Sequence, residues 1–184
     1  MPAPNLRPLV VDLDGTLCRT DTLWETFFAA WRRCWWLPLA APLWLLRGRS
    51  AFKRRLASVA LPDIASLPWN SAVTDALHDA RAAGRTTVLA TAADDLVAQA
   101  CAAELGLFDR VIASDGIRNL KAHTKAEQLV PLFGEQGFDY IGDSRADLAV
   151  WPHAAQRFTV SSLLPAGGQR LPGTPAAGGV GRWL

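Results

Sequence analysis

Five short apolar, β-rich runs recur along the chain: Pro8–Asp14, Thr86–Thr91, Arg110–Asp115, Phe138–Asp143 and Arg157–Ser162. Between the later ones lie helical patterns. Strands that alternate with helices are joined by crossovers, and crossovers build a mostly parallel sheet covered by helices. Ser71–Ala83 reads as a helix that opens on Asn70 or Ser71 and closes at Gly84. Asp94–Leu105 places Leu96, Val97, Ala100, Cys101 and Leu105 on one face and stops at Gly106. Thr124–Phe133 opens with the capping box Thr124-x-x-Glu127 and stops at Gly134, while Pro131 predicts a kink or an early end. The expected fold class is α/β, a parallel sheet flanked by helices.

About seventy residues separate the first two strands, far more than a crossover needs. They open with a second capping box, Thr22-x-x-Glu25, after which Leu23, Trp24, Phe27, Phe28, Trp31, Cys34 and Trp35 follow helical spacing. A second helix near Ser50–Ala60 carries Phe52, Leu56 and Val59 on one side and a basic cluster on the other. The segment reads as a small helical cap over the sheet. Between Trp24 and Ala60 it holds five of the eight tryptophans, and there seven Lys and Arg residues stand against the single acid Glu25. Two readings of the cap compete. In one, the Trp and Leu stripe packs on the core and the arginines are solvated. In the other, a basic aromatic surface meets a membrane or a lipid-linked phosphate. The expected partition is residues 1–17 and 70–164 for the core domain and 18–69 for the cap. Residues 165–184, of which nine of twenty are Gly or Pro, read as a disordered tail.

The three cysteines, Cys18, Cys34 and Cys101, are far apart and read as free thiols in a reducing cytoplasm. No signal peptide is expected. The most apolar run, Trp35 to Leu46, has twelve residues and two prolines, too short to span a bilayer. The net charge of +2 points to no nucleic-acid partner. His78, His123 and His153 show no ligand spacing and read as surface residues.

Four pieces fall at the C-terminal ends of the expected strands, where open α/β sheets form their crevice. Asp12-Leu13-Asp14-Gly15-Thr16-Leu17 follows the first strand. Two acids one residue apart can both face a crevice where the chain leaves the extended state, one as nucleophile and one as proton donor. A turn with two solvated aspartates is the plain alternative. Thr91 ends the second strand, and its hydroxyl and the next N–H can hold a phosphoryl oxygen; it is otherwise β-branched filler or a helix cap. Lys125 opens a helix and can neutralise a nucleophile and a phosphoryl group, with Lys121 as its rival. Gly142-Asp143-Ser144-Arg145-Ala146-Asp147 places two acids at i and i+4 on one expected helical face, a set suited to a hard cation. Asp21 caps the first cap helix or touches a leaving group; the cap is favoured.

In this order the four motifs resemble those of the haloacid dehalogenase superfamily, over roughly Leu9 to Val160. The resemblance implies a Rossmann-like parallel sheet and a Mg²⁺-dependent phosphatase (a phosphoric monoester hydrolase) acting through an aspartyl phosphate. It implies Asp12 as nucleophile, Asp14 as general acid/base, and Thr91 and Lys125 as phosphate holders. The metal ligands it implies are Asp12, Asp14 through its carbonyl, Asp143 and, in support, Asp147. Lys125-Ala-Glu-Gln-Leu is similar to the helix-opening Lys of phosphoserine-phosphatase-like members, which favours Lys125 over Lys121. The stretches DLDGTLCRTDTLWE, LATAADD, NLKAHTKAEQL and YIGDSRADLAVW resemble the soluble domain fused to some UbiA-type prenyltransferases. The expected substrate is a small or lipid-linked phosphomonoester, and the expected location is the cytoplasm, at the inner membrane where the cap meets lipid. A silent partner domain of a prenyltransferase and a phosphotransferase or mutase are the alternative functions.

Overall fold

Six parallel strands form one sheet in the order β3-β2-β1-β4-β5-β6. The computed structural model describes residues 6–117 and 119–174. In chain order the elements are β1 (Leu9–Val11), α1 (Thr22–Arg33), α2 (Leu37–Leu45), α3 (Arg49–Val59), α4 (Ser71–Ala82), β2 (Thr87–Asp94), α5 (Asp95–Leu105), β3 (Arg110–Ser114), α6 (His123–Phe133), β4 (Asp139–Gly142), β5 (Gln156–Thr159) and β6 (Gln169–Arg170).

β1 is central, with Val10 opposite Val88 on one side and Tyr140 on the other. Strand alternation divides the core. Leu9 and Val11 face one apolar layer with Val73, Leu77, Val97 and Cys101 of α4 and α5. Val10, Val88 and Tyr140 face the other, with Leu129 of α6 and the buried Trp151. The chain leaves β1 toward β2 and later returns to its other side as β4. The two connections part there and open a crevice at the strands' C-terminal ends, the switch point of a doubly wound sheet.

Several expectations change in detail. β1 is three residues long because Asp12 leaves the ladder, keeping one bond from its N–H to Ile141 O at 3.0 Å. β2 runs past Thr91 to Asp94 through a register shift between Ala90 and Asp94, so Thr91 lies inside the strand and not at its end. Neither capping box forms. Asp21, not Thr22, caps α1 and accepts from Leu23 N at 2.8 Å; α6 begins at His123 from Ala122, whose φ is 52°. Pro131 stays inside α6, which ends two residues later at Phe133. Residues 165–174, expected to be disordered, add β6 beside β5 and bury Leu171 against the core. Residues 175–184 of the expected tail lie outside the described residues.

The cap has three helices where two were expected. α2 occupies the proline-containing run: Pro38 stands in its first turn, where a missing N–H costs nothing, and Pro42 is tolerated inside. Ala30, Leu37, Leu56 and Ala60 form a small core of the cap's own, with Phe27, Trp44 and Phe52 packed against it. The expectation that the Trp and Leu stripe packs on the sheet domain fails for much of it. α1 turns Thr22, Thr26 and Ala30 inward and leaves Trp24, Phe28 and Trp31 exposed. No helix of the described residues is long and apolar enough to cross a membrane.

Candidate active site

The loop after β1 is held from three sides. Asn70, at the start of α4, donates from Nδ2 to Thr16 O at 3.0 Å. Thr16 donates from Oγ1 to Asp143 Oδ1 at 3.3 Å, tying the loop to the one after β4. Gly15 sits at φ 78°, and a Cβ there would fall 2.2 Å from Asp143 Oδ2. Only glycine permits both that backbone and that approach.

Behind the loops, Lys125 enters from the first turn of α6. Its buried ammonium donates to Asp12 Oδ1 at 2.8 Å and to Tyr140 Oη at 2.9 Å, and lies 3.6 Å from Asp147 Oδ1. Tyr140 in turn donates from its hydroxyl to Asp147 Oδ1 at 2.7 Å. Asp147 Oδ2 accepts from Asp143 N, Ser144 N and Ser144 Oγ. Asp147 is therefore fully engaged, and it fixes the backbone that presents Asp143. Asp143 and Asp147 do not share the face of an α-helix as expected. The chain after β4 bends into a 3₁₀ turn, Arg145–Ala149, whose Ser144–Asp147 capping box folds the second acid back beneath the first.

Asp12, Asp143 and Asp147 each offer one oxygen within 4.8 Å of the others. Burial pushes Asp12 up to about 7, against the pull of Lys125 and with the push of Asp147. Burial, then Asp147, pushes Asp143 up to about 6. Burial also works against the Lys125 ammonium, but Asp12 and Asp147 outweigh it and its pKa is raised. Three clustered carboxylates against one ammonium leave the negative charge that a divalent, oxygen-loving cation balances. The residues present thus fit Mg²⁺. Asp14 is not in that cluster. Its Oδ1 accepts from Thr22 N at 2.8 Å, and burial raises its pKa while that bond opposes the rise.

These groups open on a cavity of about 280 Å³ between sheet and cap, lined by Asp12, Asp14, Lys125 and, from the cap, Asp21, Arg49 and Lys53. Lys53 donates to Ala92 O at 2.6 Å and to Asn119 Oδ1 at 3.4 Å, so α3 is bridged to the shifted part of β2. Arg54 stands 3.0 Å from Asp94 as a charge pair, its N–H not aimed closely enough to form a hydrogen bond. Ala92, Ala93 and Asp94 line the cavity. Thr91 does not: it is fully buried, and its Oγ1 accepts from Ala93 N at 2.9 Å. Lys121 lines the mouth and is exposed, whereas Lys125 is the lysine that reaches Asp12.

Sequence reasoning passed over Tyr140, Asn70 and Lys53. Tyr140 is the single tyrosine and sits one turn of pleat before the Gly-Asp pair, which was a usable signal. Lys53, one of the basic cluster of the second expected cap helix, stands four residues from Arg49 on the face that meets the cavity. The histidines stay peripheral: His78 and His123 are exposed, and His153 meets Glu135 at 2.9 Å.

Comparison with known proteins bears on the family and the fold. The haloacid dehalogenase-like hydrolase family matches residues 9–151. An uncharacterised protein of Sinorhizobium fredii, y4nM, is 42% identical over 149 residues, covering 80% of this chain; the chain spans only 28% of that protein's length. A Bordetella pertussis protein of unknown function superposes with a TM-score of 0.64 at 18% identity, over 83% of this chain and 89% of that one. A phospho-aspartyl intermediate analogue of phosphoserine phosphatase superposes with a TM-score of 0.56 at 16% identity, over 83% and 85%.

Proposed function

Because the chain belongs to the haloacid dehalogenase-like hydrolase family, we propose that it is a Mg²⁺-dependent phosphatase that forms a phosphoryl-enzyme on Asp12. The observation that carries this is the buried Asp12 carboxylate, held on one oxygen by Lys125, lining the cavity together with Asp14 and clustered with Asp143 and Asp147. Likeness to phosphoserine phosphatase, a structure whose fold it shares, supports the same reading.

Asp12 and Asp143 would hold Mg²⁺, with the Asp14 carbonyl as a further ligand and Asp147 fixing Asp143 from behind. The bound ion supplies charge neutralisation, which lets one anion approach another, and polarises the phosphoryl oxygens. Lys125 shares the negative charge of Asp12 and of the incoming phosphoryl group. An Asp12 oxygen attacks phosphorus and the ester P–O bond breaks. Asp14, whose proton burial favours keeping, gives that proton to the leaving alkoxide. It then takes one from the water that cleaves the acyl phosphate, returning Asp12 and inorganic phosphate. Thr91 supports the wall through the Ala92–Ala93 backbone it braces. Arg49, Lys53 and Lys121 surround the mouth with cations beyond those the reaction centre uses. They suit a small phosphomonoester that carries further negative charge, free or at the head of a lipid. The free thiols Cys18, Cys34 and Cys101 fit a reducing cytoplasm.

Phosphate release from p-nitrophenyl phosphate and a panel of phosphometabolites, with Mg²⁺ or with chelator, tests the proposal. Asp12→Asn should retain the circular dichroism of the parent and fall below about one thousandth of its turnover. Parent-like turnover in that variant would refute the assignment. Adding alcohol or sugar acceptors separates release to water from transfer.

A further inference from the structure

The exposed face of the cap is built unlike the rest of the surface. α2 buries one residue, Leu37, out of nine. Trp35, Leu39, Leu43 and Leu46 recur at helical spacing and are 80%, 78%, 68% and 86% exposed, a continuous apolar stripe along the solvent side. On the neighbouring helix α1, Trp24, Phe28 and Trp31 form an exposed aromatic ladder, with Phe28 and Trp31 stacked at 6.3 Å. Contiguous apolar surface on this scale marks an interaction site.

The charges around it name the occupant. Arg32 and Arg33 stand at one end of the stripe and Arg47 at the other, all exposed, while Glu25 is the only acid from residue 22 to 62. Tryptophan and arginine rim an apolar stripe in helices that lie in the headgroup region of anionic bilayers. A helix of nine residues is about 14 Å long, against a hydrocarbon core of ~30 Å, so it lies along the surface and does not cross. We propose that the α1–α2 face of the cap is a membrane-docking surface that seats this protein on an anionic lipid bilayer, with α2 in the interface plane and Arg32, Arg33 and Arg47 on lipid phosphates. The inference stands independently of the chemistry at Asp12. Docking would hold the cavity mouth, which α1 and α3 line, close to the headgroup layer.

The test is co-sedimentation of the full chain with vesicles of phosphatidylglycerol and phosphatidylcholine, and with phosphatidylcholine alone, at low and raised salt. The parent should pellet with the anionic vesicles, release as salt rises, and show blue-shifted tryptophan emission when bound. Leu39→Glu/Leu43→Glu should bind at least ~10-fold more weakly, because both side chains lose their apolar contact. Arg32→Gln/Arg33→Gln/Arg47→Gln should lose about fivefold per arginine. These side chains are exposed, so thermal melts followed by circular dichroism should match the parent. A parent that stays in the supernatant with anionic vesicles at low salt overturns the proposal. So does Leu39→Glu/Leu43→Glu pelleting like the parent. A parent that instead dimerises in sedimentation velocity, becomes monomeric on that double substitution and ignores vesicles overturns it in favour of a second copy.

Discussion

Replacing Lys125 by methionine keeps an apolar side chain of similar length and removes the ammonium. In the parent that ammonium meets Asp12 at 2.8 Å, Tyr140 at 2.9 Å and Asp147 at 3.6 Å, and all of these groups are buried. Without it, two carboxylates face each other with no cation. Removing one partner of a buried pair costs about 3–5 kcal/mol, most of it the desolvation of the charge left behind. Urea unfolding of the metal-free protein reads this directly: with a slope near 2 kcal/mol per molar, the midpoint should fall by roughly 1.5–2.5 M. Lys121→Met, at an exposed position on the cavity mouth, should stay within about 0.5 kcal/mol. The loss in Lys125→Met should shrink at mildly acidic pH, where Asp12 can take a proton and shed its charge. Turnover should fall on the order of 10³-fold, since the phosphoryl group also loses its cation. A Lys125→Met protein with the parent's midpoint and turnover, or a Lys121→Met protein with the larger loss, would refute the assignment of Lys125.

Further outcomes follow from the same network. Gly15→Ala should destabilise by about 1–3 kcal/mol, through its φ of 78° and the 2.2 Å approach to Asp143, and should weaken Mg²⁺ binding seen by calorimetry; the protein stays folded but loads poorly. Asp12 rises from 3.8 to about 7 on folding, so the folded metal-free protein binds this proton more tightly than the unfolded chain. Its stability therefore falls as pH rises from about 4 to 7 and Mg²⁺ should restore it at the upper end, which differential scanning calorimetry across that window checks. Burial pushes the Cys101 thiol up to about 12, so at pH 8 iodoacetamide should label the half-buried Cys34 in native protein and leave Cys101 until urea is added, as peptide mass mapping would show.

What was legible in the chain and what was not divides along physical lines. Asp12, Asp14, Lys125 and Asp143 could be placed because each follows or opens an element whose apolar period is local, and the crevice collects whatever stands at those ends. Asp147 was found for the wrong geometry. Two acids four apart suggest a helix, but the Ser144–Asp147 capping box opens a 3₁₀ turn, and the bond from Tyr140 of β4 to Asp147 holds the second acid there. Thr91 was read as a strand end because Ala92, Ala93 and Asp94 carry no strand signal; the register shift that extends β2 depends on Ser114 Oγ and Lys53 Nζ both reaching Ala92 O. α2 escaped notice because Pro38 and Pro42 argue against a helix locally, whereas Leu37 in the cap's small core holds it. β6 was hidden by glycine and proline content that says nothing about a neighbouring strand edge.

In the proposed chemistry, the bond from Thr22 N–H to Asp14 makes the first turn of α1 a working part of the reaction centre. The question of where the cap could be exchanged for another has a physical answer here. A transplant whose seam falls at Cys18 would carry away the donor that orients the acid, together with Asp21, which holds the turn in place. A seam at Leu23 leaves both behind. The module that can be exchanged is thus shorter than the insertion, and the first turn of α1 stays with Asp14.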